Sequence, residues 1–405
     1  MENETQNINT AKPRRLLDFL ILIIFIAVTL TIFFVFNNRD KGMEEKIIWK
    51  FDTGIEKGEL SEPVVQNGNI FLAVNTRGKN KAYIVSVGED GKERWKAQFD
   101  SEKERLGGGY DEVRILGFSE ENTYIYQDGF VSVLNSEDGK IINKYVGGGF
   151  YHDGLIFSGG EGLLKAVNAD DGSQKWQFII PERTWAFQGQ YTYGNNNLLY
   201  IKMGYDSNDD GQRNQEILMA LDTLTGQEKW NSQISNIKSA SNIFLNANQL
   251  LYRIIGENEI SRIDANTGKK LQSVSLQNFV AEFGSDWFYV NKGIAFARRG
   301  TGREENFLYA FDSTNGNLKW KYDFQNNSVV GIESDELIYL TSEKALLGTG
   351  RGKIDAIDPN TGKKAWHYEF GGDASISKPV LSENRVYVTA GNSLRDGEFL
   401  YALSK

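Results

Sequence analysis

The run best equipped for chemistry is Asp206-Ser207-Asn208-Asp209-Asp210-Gly211-Gln212-Arg213-Asn214, with Glu216 just beyond it. Oxygen donors at its first, third and fifth places, a glycine at the sixth for a sharp turn and a backbone carbonyl at the seventh are what a hard cation such as Ca²⁺ takes from one short loop. A full helix-flanked calcium loop would close with a bidentate carboxylate at the twelfth place, which here is Ile217, so Asn214 must close a shorter one. The expected ligands are Asp206, Asn208, Asp210, Gln212 and Asn214. A solvated acidic turn is the competing reading.

Little else in the chain could do chemistry. There is no cysteine, hence no thiolate metal site and no disulfide framework, and His152 and His367 are the two histidines in 405 residues. Gly107-Gly108-Gly109 and Gly147-Gly148-Gly149 precede no helix whose amides could cradle a phosphate, so they read as turns. A formal net charge of -9, with acids interrupting the basic residues, gives no nucleic-acid footprint.

The elements that must carry the loop repeat along the chain. The clearest copy is Ala356-Ile357-Asp358-Pro359-Asn360-Thr361-Gly362-Lys363-Lys364-Ala365-Trp366: a strand, an Asp whose carboxylate can bond backbone two residues on, a Gly with positive φ, and an indole four residues later. Turn glycines at 91, 139, 172, 226, 268, 316 and 362 are separated by 48, 33, 54, 42, 48 and 46 residues, which fits four-stranded blades of about 40–50 residues. The acidic loop falls within the longest step. Trp95, Trp176, Trp230, Trp320 and Trp366 follow their glycines and are expected to dock one repeat onto the next, whereas Asn143 and Gln272 stand where an indole is lost.

The chain stops on a third-strand pattern, Phe399 to Leu403, and begins with an unpartnered tryptophan strand, Ile47 to Phe51 around Trp49. Joined, they complete an eighth unit. The expected fold is therefore all-β, an eight-bladed propeller over residues 47–405 whose last blade is closed by strand 47–51.

The Ala-x-Asp-x-x-Thr-Gly-x-x-x-Trp pattern of Ala356 to Trp366 and Ala220 to Trp230 resembles the pyrroloquinoline-quinone-type propeller repeat. In length and lack of extra domains the chain is most similar to the outer-membrane assembly lipoprotein B group. The resemblance implies a non-catalytic, protein-binding scaffold. Quinone-dependent dehydrogenases share the repeat and make an enzyme the rival reading, but those enzymes commonly hold their cofactor against a vicinal cysteine pair, so no quinone is expected. A calcium-dependent adhesion or sensor domain is the third reading, favoured by the acidic loop.

Leu16 to Phe36 is an apolar run with one charge, Asp18, long enough at about 1.5 Å per residue to cross a bilayer as a helix. Lys12, Arg14 and Arg15 precede it, which favours residues 1–15 in the cytoplasm, a linker at 37–46 and the propeller outside the cell membrane. The resembled lipoproteins are held by lipid on a cysteine; here a protein helix would replace it. Cell-envelope or membrane proteins are the expected partners. Loops joining second to third strands share one face of a propeller, and mapping charge onto them puts Arg298, Arg299 and Arg351 in a basic sector expected to dock an anionic partner.

Overall fold

A computed structural model describes residues 46–76, 81–100, 112–160, 162–182, 184–185, 191–193, 197–206, 208–209, 214–236, 243–246, 249–252, 258–277, 288–299, 307–324, 327–344, 351–371, 374–392 and 397–405. The chain divides into two units, Met1–Ile48 and Trp49–Lys405. The expected membrane helix at 16–36 lies outside the described residues, among which no helix is long and apolar enough to cross a membrane.

The second unit is built of eight antiparallel sheets, seven of them blades of strands sequential in the chain and the eighth completed by the N-terminal strand, with first strands split in two in blades 1, 4 and 8. First strands of neighbouring blades touch, as Arg114–Phe118 does Phe150–His152 and Phe244–Asn246 does Phe288–Asn291, so they converge while the fourth strands fan outward. In blade 8 the order runs Ile47–Asp52, Gly397–Ser404, Arg385–Asn392, Ser375–Ile376. The N-terminal strand thus supplies the last blade's outer edge, as the sequence pattern requires.

Each turn between third and fourth strands folds as its residue types dictate. Asp358 Oδ1 accepts from the amides of Asn360 (2.8 Å) and Thr361 (2.9 Å), and Gly362 adopts φ 69°. Those two amides, Thr361's first, hold the Asp358 carboxyl below its usual range. The preceding blade's indole then lies flat on the glycine. A Cβ added to Gly362 would fall 2.6 Å from Trp320, one on Gly226 2.6 Å from Trp176, and one on Gly91 2.8 Å from Trp49. Each indole also donates Nε1–H to a turn carbonyl: Trp49 to Glu89 (2.8 Å), Trp95 to Ser136 (2.9 Å), Trp176 to Thr223 (2.8 Å), Trp230 to Ala265 (3.1 Å) and Trp320 to Pro359 (2.8 Å). Trp366 faces blade 8, which is joined across the chain ends and has no such turn, and packs on Tyr339 of its own blade, 6.0 Å between centroids.

A cross-strand row that the repeat pattern does not announce supports each indole. An aromatic residue on the second strand, a small one on the third and the tryptophan on the fourth lie in register: Phe71–Ser86–Trp95, Phe157–Ala166–Trp176, Tyr200–Ala220–Trp230, Phe296–Ala310–Trp320 and Tyr339–Ala356–Trp366. A bulge in the fourth strand just before each tryptophan turns the ring toward the next blade.

Where the indole is missing, the joint is rebuilt. In blade 2 the row reads Tyr124–Val133–Asn143. Tyr145, two residues on, takes over Gly172, and its hydroxyl donates to the Ala169 carbonyl at 2.8 Å. Asn143 donates to the Asp170 carbonyl (2.8 Å) and Tyr124 to the Asp170 carboxylate (2.6 Å). Burial, and then that carboxylate, push the Tyr124 hydroxyl up to about 12. In blade 5 the row is Leu251–Arg262, and backbone seats on backbone: Gln277 N–H donates to the Gly316 carbonyl at 3.0 Å.

Candidate functional site

The acidic loop joins the long second and third strands of blade 4, Leu198–Tyr205 and Gln215–Asp222. Those strands pair from Leu198 with Asp222 to Tyr205 with Gln215, bringing Asp206 and Asn214 together at the loop's neck. Asp206 is 2 % exposed, and its Oδ1 accepts from the amides of Asn208 (3.2 Å) and Asp209 (2.8 Å). Asn214 donates its side-chain amide to Asn208 Oδ1 and its backbone N–H to the Tyr205 carbonyl at 3.1 Å. Three of the five expected donors therefore converge, while Asp210 and Gln212 lie outside the described residues. Asp206 caps its own loop as the turn aspartates do.

Just inside the neck, Lys202 Nζ lies 3.8 Å from a Glu216 carboxylate oxygen, both side chains nearly buried against blade 5. A second buried ionic group sits at the joint of blades 6 and 7. Asp355, with no exposed surface, meets Lys353 at 3.0 Å and Lys364 at 3.2 Å. Across the joint, burial and then Asp355 raise the Tyr322 hydroxyl far above its ordinary range, keeping it protonated. Paired charges here are tolerated because each has a close opposite partner.

The basic sector proves uneven. Arg298 and Arg299 stand in the second strand of blade 6, Ile294–Arg299, rather than in the loop after it. Arg298 is half-buried, with its guanidinium 5.8 Å over the centre of the Phe324 ring, and burial lowers its pKa. The side chain of Arg299 lies outside the described residues. Arg351 is exposed and lies just before the third strand of blade 7, Gly352–Ile357, with an isolated bridge to Ala374. Of the two described side chains, Arg298 is thus partly withdrawn and Arg351 is exposed. Asp170, on the opposite face, is exposed yet bonded into the joint of blades 2 and 3 through its carbonyl and its carboxylate.

These features define a class: an all-β, eight-bladed propeller whose blades are locked by a tryptophan docking motif and closed by strand exchange between the chain ends. The chain belongs to the family described as outer membrane protein assembly factor BamB, whose model matches residues 42–243 and 213–395. It is similar to the outer membrane protein assembly factor BamB of Shewanella oneidensis, 20% identical over 373 residues, which cover 85% of this chain and 86% of that one. Among solved structures, BamB from Moraxella catarrhalis superposes with a TM-score of 0.54 at 11% identity over 86% of this chain and all of that one. The quinohemoprotein alcohol dehydrogenase ADHIIG from Pseudomonas putida HK5 superposes with a TM-score of 0.60 at 15% identity, over 88% of this chain and 76% of that one. At such identities the two structures share the fold.

Proposed function

We propose that this chain is a membrane-anchored, extracytoplasmic scaffold that binds other cell-envelope proteins without catalysing a reaction. The observation that carries the reading is the family match across residues 42–395, all of the propeller but the strand Gly397–Ser404, to an outer membrane protein assembly factor. Within this reading residues 16–36 anchor the propeller beside its partners, replacing a lipid. The fold is shared with a quinone-dependent dehydrogenase, but the fold by itself does not assign chemistry, and the chain has no cysteine pair to set against such a cofactor.

The test is photo-cross-linking of the full-length chain in its native membranes. Discrete envelope-protein adducts from probes on the face bearing Arg351 are expected, and Arg351→Glu should weaken them, whereas Glu137→Lys, an exposed turn residue on the other face, should not. Adducts absent from every face, or alcohol-dependent dye reduction by the purified chain after loading with pyrroloquinoline quinone, would overturn the reading.

The buried carboxylate of Asp206 at the neck of the acidic loop favours a second role, calcium binding. A cation held by Asp206, Asn208, Asp210, Gln212 and Asn214 in the folded state alone should stabilise it by about 2.7 kcal/mol at a hundredfold excess over Kd. Calorimetry with and without calcium reads this directly. An equal shift in Asp206→Asn, or no shift in the parent chain, would leave the loop an ordinary capped turn.

A further inference from the structure

The fourth strands form the rim of the propeller, and among the described residues no further strand pairs with their outer edges. Most are defended. The exposed residues of Glu93–Asp100 include Glu93, Arg94, Lys96 and Asp100, and those of Leu318–Asp323 are Lys319, Lys321 and Asp323. Charges placed this way discourage another strand from pairing. Blade 2 departs from the rule. Its outer strand, Ile141–Val146, exposes Ile141 at 51 %, Ile142 at 59 % and Val146 at 80 %, and the neighbouring outer strand, Gln174–Ile179, exposes Ile179 at 72 %. Four of the six large hydrophobic residues exposed among the described residues fall on these two strands.

Charge marks the same place. The third and fourth strands of blades 2 and 3 (Phe130–Asn135, Ile141–Val146, Leu163–Asn168 and Gln174–Ile179) contain Lys144, Lys165 and Lys175 and not one acid. In a chain of net charge -9, every other blade has at least one Asp or Glu in its third or fourth strand. The backbone is available as well. Gly147 N–H bonds the Gly129 carbonyl, and Asn143 and Tyr145 pair with Val133 and Val131. By antiparallel alternation the N–H and C=O of Lys144 and Val146 therefore point away from the sheet. The Lys144 N–H is occupied by Asn143 Oδ1 at 2.8 Å, a local bond that an incoming strand can exchange for its own carbonyl.

We propose that Ile141–Val146 is a strand-addition site that takes an extended segment of a partner protein in which aliphatic residues alternate with carboxylates. The proposal rests on the scaffold reading and names the chemistry of one partner. A second copy of this chain fits poorly, because antiparallel pairing centred on Lys144 sets Lys144 against itself, and like charges directly opposed repel. An anionic membrane surface also fits poorly, since pressing this edge into lipid would strip water from backbone groups that lipid cannot replace. A carboxylate strand satisfies the backbone, covers the aliphatic side chains of Ile141–Val146 and meets Lys144 at once.

The test uses the full-length chain in phosphatidylcholine nanodiscs and a fluorescein-labelled seven-residue peptide alternating valine with glutamate, against its valine–lysine counterpart. The glutamate peptide should bind about tenfold more tightly, a preference that Lys144→Glu should reverse. Val146→Asn should weaken binding about as much, while Lys321→Glu on the rim of blade 6 should leave it unchanged. Circular dichroism confirms that each variant is folded. Equal binding of both peptides, or indifference to Val146→Asn, overturns the proposal. So does recruitment of phosphatidylglycerol vesicles that Lys144→Glu abolishes without peptide discrimination, which would make the edge a lipid contact. Lost peptide discrimination with membrane cross-links retained removes this surface alone; loss of those cross-links from every face removes the scaffold reading.

Discussion

A chain that begins at residue 56 is expected to lose cooperative folding, or to melt far below one that begins at residue 44. The strand Ile47–Asp52 is the outer strand of blade 8, and without it Gly397–Ser404 becomes a raw edge. Three further contacts vanish with it. The Trp49 indole covers Gly91 and bonds the Glu89 carbonyl, its ring packs 5.8 Å from Tyr387, and Lys50 Nζ sits 3.3 Å over the Phe399 ring. The first of these joins the strand to blade 1, into which the chain continues at Gly58–Leu60, so the strand's pairing with Gly397–Ser404 is what clasps the ring. Trp49→Ala alone should cost about 3–5 kcal/mol, the range for deleting a packed tryptophan, and the strand deletion more. Thermal melts of the two chains decide it; coincident cooperative transitions would refute closure by strand exchange.

Asp355→Ala should be the most damaging single substitution outside the tryptophan rows, at about 3–5 kcal/mol. It leaves Lys353, nearly buried, and Lys364 without the carboxylate they share, and it removes the acceptor beside the Tyr322 hydroxyl. Asp355→Leu combined with Lys353→Met should recover much of the loss, because a packed apolar pair avoids the desolvation that the ion pair must offset. Urea unfolding of the single and double variants measures both effects. A loss under 1 kcal/mol for Asp355→Ala would show that the joint admits water.

The blade count, the split last blade and the docking tryptophans were legible in the sequence because each depends on local chemistry at a fixed spacing. An Asp that bonds amides two and three residues on, a Gly that must take positive φ and an indole four residues later are dictated within one hairpin. The aromatic that supports each indole was legible in principle, recurring at Phe71, Phe157, Tyr200, Phe296, Tyr339 and Tyr387. It was missed because its meaning is a register between strands some fifteen to thirty residues apart, which no local pattern announces.

Tertiary structure decided the rest. Asn143 looks like a lost contact in the sequence; only the neighbouring blade reveals Tyr145 on Gly172 and the bonds around Asp170 that replace it. Arg298 reads as a loop cation until the strand is seen to run through it and lay it over Phe324. Asp355 reads as a strand residue, yet blades 6 and 7 close over the carboxylate and leave it no exposed surface. The physical reason is common to all three. The repeat sets conformation through bonds made within a few residues, whereas burial, charge pairing and exposed rims depend on which blade a side chain faces, and that is fixed only when the ring closes.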